Sequence, residues 1–212
     1  MKKIIALSCS PSRGRNSDTM LDRFIAGARR EEGVAVEKVY LGDIPVNDYR
    51  FENRIGPEPD EPEFAKLCEE MQAADALVIA TPTYNFSVPG RLKNFIDRIR
   101  FLSLDFDRKT NLGQPVGKLG KLRTYFLVSG GTPTWAQKIV FFAFPPFWLR
   151  GVFLYFGAQV MGAYYSGDVR TFENEERLAV CEGEGRRFAH QVAMGRRHGI
   201  LERIFWRPPE VE

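Results

Sequence analysis

Histidine and cysteine are both scarce in this chain of 212 residues, which carries two of the first and three of the second. A serine or cysteine hydrolase needs an imidazole base held beside its nucleophile. His190 and His198 both sit near the C-terminus, on or beyond the last helical segment, and are expected at the surface. Cys9, Cys68 and Cys181 are far apart and share no metal-ligand spacing, so neither a disulfide framework nor a metal site is expected. Sparse, odd cysteine usage fits a reducing compartment, and a cytoplasmic location is expected. Phosphate-loop signatures are missing as well. No G-x-G-x-x-G is present, and Gly113-Gln114-Pro115-Val116-Gly117-Lys118-Leu119 has neither the Walker spacing nor a hydroxyl after its lysine.

Long hydrophobic runs are also few. Met1–Ser8 is too short for a signal peptide and reads as a buried strand. Residues 141–161 approach the length of a bilayer span, but Pro145-Pro146, Arg150, Gly151 and Gly157 break the run. A buried helix, a subunit interface or the wall of an apolar pocket is expected there, and no membrane span. The net charge of +3 lacks the concentrated basic face of a nucleic-acid binder.

What remains is the pattern of an α/β domain, with 44% hydrophobic residues to fill its core. Continuous apolar runs at 3–8 and 75–80 read as buried strands, with further strands at 34–41, 123–128 and 159–165. Helical spacing links Leu21, Phe24, Ile25 and Ala28; then Phe64, Leu67, Cys68 and Met71; then Val88, Leu92, Phe95, Ile96 and Ile99. A fourth helix follows Pro133, kinked or split at Pro145-Pro146, and a last one carries Leu178, Cys181, Gly185, Phe188 and Val192. Gly42 to Pro62 is a long loop rich in proline and aspartate. Alternating strands and helices predict a flavodoxin-like three-layer α/β sandwich with a five-stranded parallel sheet in order 2-1-3-4-5. Residues 1–198 form the expected domain and 199–212 a C-terminal tail.

In that topology ligands sit beyond the carboxyl ends of the strands, where strand order reverses. The loop after the first strand, Ser8 to Thr19, crowds hydroxyls, Arg13, Arg15 and Gly14 before a helix N-terminus. Orphan N–H groups and the helix dipole favour an anion there, with Ser10, Ser17 and Thr19 donating to phosphate oxygens. Capping of the helix by Asn16 or Ser17 is the competing reading. In the loop after the third strand, Thr81 to Gly90, Tyr84 and Phe86 can lie against a planar ring while Asn85 and backbone amides address its polar edge. A packing plug explains the same aromatic pair.

Thr81-Pro82-Thr83-Tyr84-Asn85-Phe86-Ser87-Val88-Pro89-Gly90-Arg91-Leu92-Lys93-Asn94-Phe95-Ile96-Asp97 resembles the signature of the NADPH-dependent FMN reductase family, T-P-E-Y-N-x-S-[IV]-P-G-x-L-K-N-x-[IL]-D. Ser10-Pro11 through Asn16-Ser17 resembles that family's phosphate loop, and Ser129-Gly130-Gly131-Thr132 its third flavin loop. The resemblance implies FMN as cofactor and NADPH or NADH as electron donor. It implies that Ser10, Asn16 and Ser17 hold the phosphate, that Pro82, Thr83, Tyr84 and Asn85 border the isoalloxazine, and that Ser129, Gly130 and Gly131 line its other side. Arg15, Thr19 and Phe86 are added from the reading of the loops themselves. Thr83 departs from the family's usual Glu, and Ser12 to Arg15 form an arginine-rich insertion. The cysteine motif of the related iron–sulfur flavoproteins is missing after the second strand, which argues against a cluster.

The expected activity is electron transfer from NAD(P)H to a small acceptor such as a quinone, azo compound, free flavin or metal oxyanion. A flavin carries the hydride chemistry itself, so no residue is assigned as catalytic acid or base. A flavodoxin-type FMN electron carrier without its own NAD(P)H oxidation is the alternative. Family members often build the flavin site at a subunit boundary. The aromatic run from Phe141 to Phe156 is accordingly the candidate surface for a homodimer or homotetramer. The basic stretch from Arg186 to Arg207 reads as a solvated helix face and docked tail.

Overall fold

A computed structural model describes residues 1–133, 135, 145–168 and 170–198 of the chain. Its strands and helices, in chain order, are β1 (Lys2–Ser8), α1 (Asn16–Ala28), β2 (Val34–Tyr40), α2 (Pro62–Ala73), β3 (Ala76–Pro82), α3 (Gly90–Arg98) and α4 (Arg100–Ser103). There follow β4 (Leu104–Lys109), β5 (Pro115–Gly117), β6 (Arg123–Ser129), α5 (Pro145–Tyr155), β7 (Gln159–Ser166) and α6 (Glu175–Ala193). The main sheet is parallel throughout, in the order β2-β1-β3-β6-β7. This is the expected 2-1-3-4-5 arrangement once the antiparallel hairpin β4–β5 is set aside.

Because strand side chains alternate, the unbroken apolar runs feed two separate cores. Ile5, Leu7, Leu77, Ile79, Phe126 and Val128 face α2, α3 and α5. Ile4, Ala6, Val78, Ala80, Tyr125 and Leu127 face α1 and α6. A register shift between Thr124 and Tyr125 places an extra β7 residue at Met161, and the alternation of β7 changes parity there. Val160 and Tyr165 consequently share one face, five residues apart, which sends the Tyr165 ring to the α3 side of the sheet.

α1 and α6 pack with almost nothing between their backbones. A Cβ on Gly27 would stand 1.9 Å from the Glu182 carbonyl oxygen, and one on Gly185 would stand 1.9 Å from that of Phe24. The two glycines therefore set the helix separation, and with it the position of the α1 N-terminus.

The long loop between β2 and α2 is organised by one buried ion pair. Arg98 on α3 and Glu61 are 0% and 1% exposed, joined in a fork at 3.0 and 2.6 Å. Glu61 also accepts the Asn47 and Glu58 N–H groups at 2.7 and 2.8 Å, while Arg98 donates to the Asn47 and Gly56 carbonyls at 3.0 and 3.1 Å. Asn94, one turn earlier on α3, accepts the Tyr49 N–H at 2.8 Å and donates to the Asn47 carbonyl at 3.0 Å.

α5 begins at Pro145-Pro146, where proline at a helix start replaces N–H groups that have no intrahelical partner. The expected helix before Pro145-Pro146, whose kink or split was expected at that pair, falls largely on residues 136–144, outside the described residues. Among the described residues no helix is long and apolar enough to cross a membrane. On α5, Phe147 and Tyr155 are exposed, whereas Phe153 and, just past the helix end, Phe156 are buried in the core. The histidines divide. His190 is exposed and meets Glu31 at 2.9 Å, but His198, expected at the surface, is buried at 9% exposure.

Candidate functional site

The loops that leave the carboxyl ends of β1, β3 and β6 converge on a cleft of about 330 Å³, toward the lower end of the range for small-ligand sites. Ser10, Ser12, Arg15, Asn16 and Ser17 line it from the first loop. Pro82, Thr83 and Tyr84 line it from the second, Ser129, Gly130 and Gly131 from the third, and Phe172 from the short 3₁₀ segment after β7. Ten of the thirteen residues singled out above therefore share one wall-to-wall site. Thr19, half-buried one turn inside α1, and Asn85 and Phe86, at the tip of their loop, are not among the lining residues.

The first loop is held from beneath by Asp18, which is 1% exposed. Its carboxylate accepts Ser8 Oγ at 2.8 Å and the Gly14 N–H at 2.7 Å, and pairs with Lys38 Nζ at 2.8 Å. Gly14 has φ +65°, a conformation that favours glycine. Burial pushes the Asp18 pKa up, but Lys38, the Gly14 N–H and Ser8 outweigh it and hold it below the usual value. Cys9 lies under the same loop as a packed thiol, its pKa raised by burial, and is poorly suited to act as a nucleophile.

The helix that follows carries no side-chain cap. Arg15 occupies the N-cap position without a capping bond, so neither Asn16 nor Ser17 plays the capping role. The Asn16 Oδ1 instead accepts the Phe172 N–H at 3.2 Å. The Ser17 hydroxyl is buried with no protein hydrogen-bond partner. An uncapped helix start with an orphan hydroxyl beside an arginine is an arrangement that an anion would complete.

The second loop closes in a tight turn. Tyr84 and Ser87 exchange both backbone hydrogen bonds at 2.8 and 2.9 Å, and the two central residues, Asn85 and Phe86, have φ of 49° and 63°. Positive φ at both central positions is the type I′ pattern, which Asn tolerates and a bulky aromatic adopts only under strain. This leaves Tyr84, which lines the cleft, and Phe86, at the tip of the turn, 47% and 65% exposed. The Thr83 N–H donates to the Ser129 carbonyl at 2.7 Å and ties the second loop to the third.

Gly130 is where that third loop passes closest to its neighbours. A Cβ there would fall 2.6 Å from Tyr165 Oη and 3.3 Å from Thr83 Oγ1. The Tyr165 hydroxyl donates to the Thr132 carbonyl at 2.9 Å and so holds the far end of the loop. Thr83 Oγ1 is the second buried hydroxyl of the cleft without a protein partner.

Among the described residues, those lining the cleft include one cation, Arg15, and no carboxylate, imidazole or amine. Such a cleft can bind an anion at the α1 end and a flat, polar-edged ring between the other two loops. Among the described residues lining it, the ionisable side chains are those of Arg15 and Tyr84. Sequence reasoning did not find Phe172, which belongs to no motif, and treated Ser12 only as part of an insertion.

The family model for NADPH-dependent FMN reductase matches residues 2–140. An FMN-dependent NADH:quinone oxidoreductase of Mycoplasma pneumoniae is 31% identical over 138 residues, covering 63% of this chain and 70% of that protein. A second protein of that description, from Hahella chejuensis, is 54% identical over 68 residues, a match that spans about a third of its length (32% of each chain). Among solved structures, an azoreductase from Bacillus anthracis superposes with a TM-score of 0.71 at 16% identity, covering 90% of this chain and 100% of the other.

Proposed function

Because the chain belongs to the NADPH-dependent FMN reductase family, we propose that it is an FMN-dependent NAD(P)H oxidoreductase whose acceptor is a quinone or another small, flat, reducible molecule. The single observation that carries this reading is the strand-end cleft, with an uncapped helix start and orphan Ser17 hydroxyl at one end and the Tyr84 turn and Gly130 loop at the other. These residues fit FMN in charge, shape and hydrogen-bonding capacity. The quinone acceptor draws on the Mycoplasma and Hahella relatives.

In this reading Ser10, Arg15, Asn16 and Ser17 hold the phosphate, with Thr19 supporting them from the next turn. Pro82, Thr83, Tyr84, Asn85 and Phe86 border the ring, and Ser129, Gly130 and Gly131 cover its opposite side. FMN, when bound, supplies the chemistry of accepting a hydride from the nicotinamide and returning electrons to the acceptor. The protein's share is orientation and exclusion of water. Tyr84 and Phe86, exposed at the rim, offer apolar surface against which a second planar molecule can lie.

Residues 1–198 act in this account as one flavin-binding unit, with 199–212 as its tail. Sparse cysteine usage supports a cytoplasmic setting, and the exposed Phe147 and Tyr155 on α5 support a homodimer or homotetramer. The test is steady-state. The full chain supplied with FMN should oxidise NADH or NADPH in the presence of a soluble benzoquinone. Tight FMN binding with no NAD(P)H oxidation would instead favour the flavodoxin-type carrier.

A further inference from the structure

Phe172 lies beyond the stretch that matches the family model, yet it forms part of the cleft wall. Its position is tightly determined. The 3₁₀ segment Thr171–Glu173 is anchored by Thr171, whose hydroxyl is 2.6 Å from Ser166 Oγ at the end of β7 and 2.6 Å from the Asp168 carbonyl. Asn174 then caps α6 by accepting the Arg177 N–H at 3.2 Å. The same helix α6 is locked to α1 through Gly27 and Gly185. Phe172 therefore approaches the α1 N-terminus from a rigid frame.

It makes two contacts there, both to residues of the anion end. Its N–H donates to Asn16 Oδ1 at 3.2 Å, which fixes the orientation of that amide. Its ring lies under the Arg15 guanidinium, 5.2 Å from the ring centroid, within the range of a cation–π contact. Among the described residues Arg15 makes no ion pair, and it is the one cation among them that lines the cleft. A long, exposed arginine otherwise samples many rotamers, and each must be given up on binding.

We propose that Phe172 is a positioning residue that holds Arg15 and Asn16 toward the anion end of the cleft, and so makes the site selective for a phosphorylated flavin over one without phosphate. The inference rests on the FMN reading above and adds to it a residue and a specificity. Arg15 supplies the charge; Phe172 fixes where that charge sits.

The test compares FMN with riboflavin, which has the same ring and no phosphate, by titrating the flavin-free full chain and following flavin fluorescence. Arg15→Met should weaken FMN by roughly 10- to 100-fold, the range for a hydrogen bond to a charged group, and riboflavin by less than about twofold. Phe172→Leu should weaken FMN by about threefold to tenfold, the range of a partly exposed cation–π contact, again sparing riboflavin. Phe172→Tyr should restore the preference. Because Phe172 acts through Arg15, the double variant should bind FMN no more weakly than Arg15→Met alone. Equal losses for both flavins, additive losses in the double variant, or no change in Phe172→Leu would overturn the inference while leaving FMN binding intact. Failure of the unaltered chain to bind either flavin would overturn both the inference and the function it rests on.

Discussion

Removing Arg98 should unfasten the β2–α2 loop and cost a large part of the protein's stability. The side chain is fully buried, and Arg98→Met leaves the Glu61 carboxylate, 1% exposed, with two backbone N–H groups and no cation. Deleting one partner of a buried pair costs about 3–5 kcal/mol, against a total of roughly 5–15 kcal/mol for a domain. In many proteins, replacing both partners with apolar residues recovers the loss. Here it should not. The Asn47 and Glu58 N–H groups and the Gly56 carbonyl bond to the pair and would lose it, while the Asn47 carbonyl keeps its bond from Asn94. Each such group left unmet costs about 1–3 kcal/mol, offset where water can reach it. Glu61→Leu with Arg98→Met should therefore remain at least about 2 kcal/mol less stable than the unaltered chain. Urea unfolding followed by circular dichroism and fluorescence measures both variants. A double variant as stable as the unaltered chain would refute the idea that the pair organises the loop.

Four further outcomes are expected. Ser17→Ala removes a buried hydroxyl without a protein partner, so it should leave the flavin-free protein as stable or up to about 1 kcal/mol more stable while weakening FMN; thermal unfolding with and without FMN reads both effects. Gly130→Ala would place a methyl 2.6 Å from Tyr165 Oη, displace the third loop and weaken FMN and riboflavin together in fluorescence titrations. Gly27→Ala meets the backbone carbonyl of Glu182 rather than a movable side chain, so the helices must part, at a cost of about 1–3 kcal/mol or more in chemical denaturation. Acidification should also destabilise the fold. Burial raises the Glu61 and Asp18 pKa values, but Arg98 and Lys38 with their neighbouring donors lower them further, to net values below 4.5 and 3.8. The stability from these depressed carboxyl pKa values is complete above those figures and is lost as pH falls through the folded-state values. Glu61→Gln should flatten this acid limb in a series of melts from pH 7 to about pH 3.

Most of the sheet was legible because buried parallel strands announce themselves as unbroken apolar runs. Ile4–Leu7 and Ala76–Ala80 behave this way, and so does Tyr125–Val128 after the polar pair Arg123-Thr124; the order of the five strands followed from crossover rules. The hairpin β4–β5 was not foreseen, since Asp105 to Lys109 is charged and mostly exposed and has no buried face to impose alternation. The order of the long loop was hidden for another reason. It depends on an ion pair between residues 37 apart, and no local pattern marks Glu61 or Arg98 as partners. In the cleft, strand-end loops identified ten lining residues, but Phe172 arrives from a 3₁₀ segment chosen by tertiary packing. His198 is buried although nothing in its polar surroundings, Arg196-Arg197-His198, suggests it.

The most direct test of the central claim is the visible spectrum of the full chain, mixed with FMN, freed of excess cofactor and then given NADH or NADPH without oxygen. The account predicts that flavin absorption stays with the protein, bleaches on addition of the nicotinamide and returns when a quinone is added. A protein that emerges colourless, or one whose bound flavin keeps its colour in the presence of both nicotinamides, would contradict it.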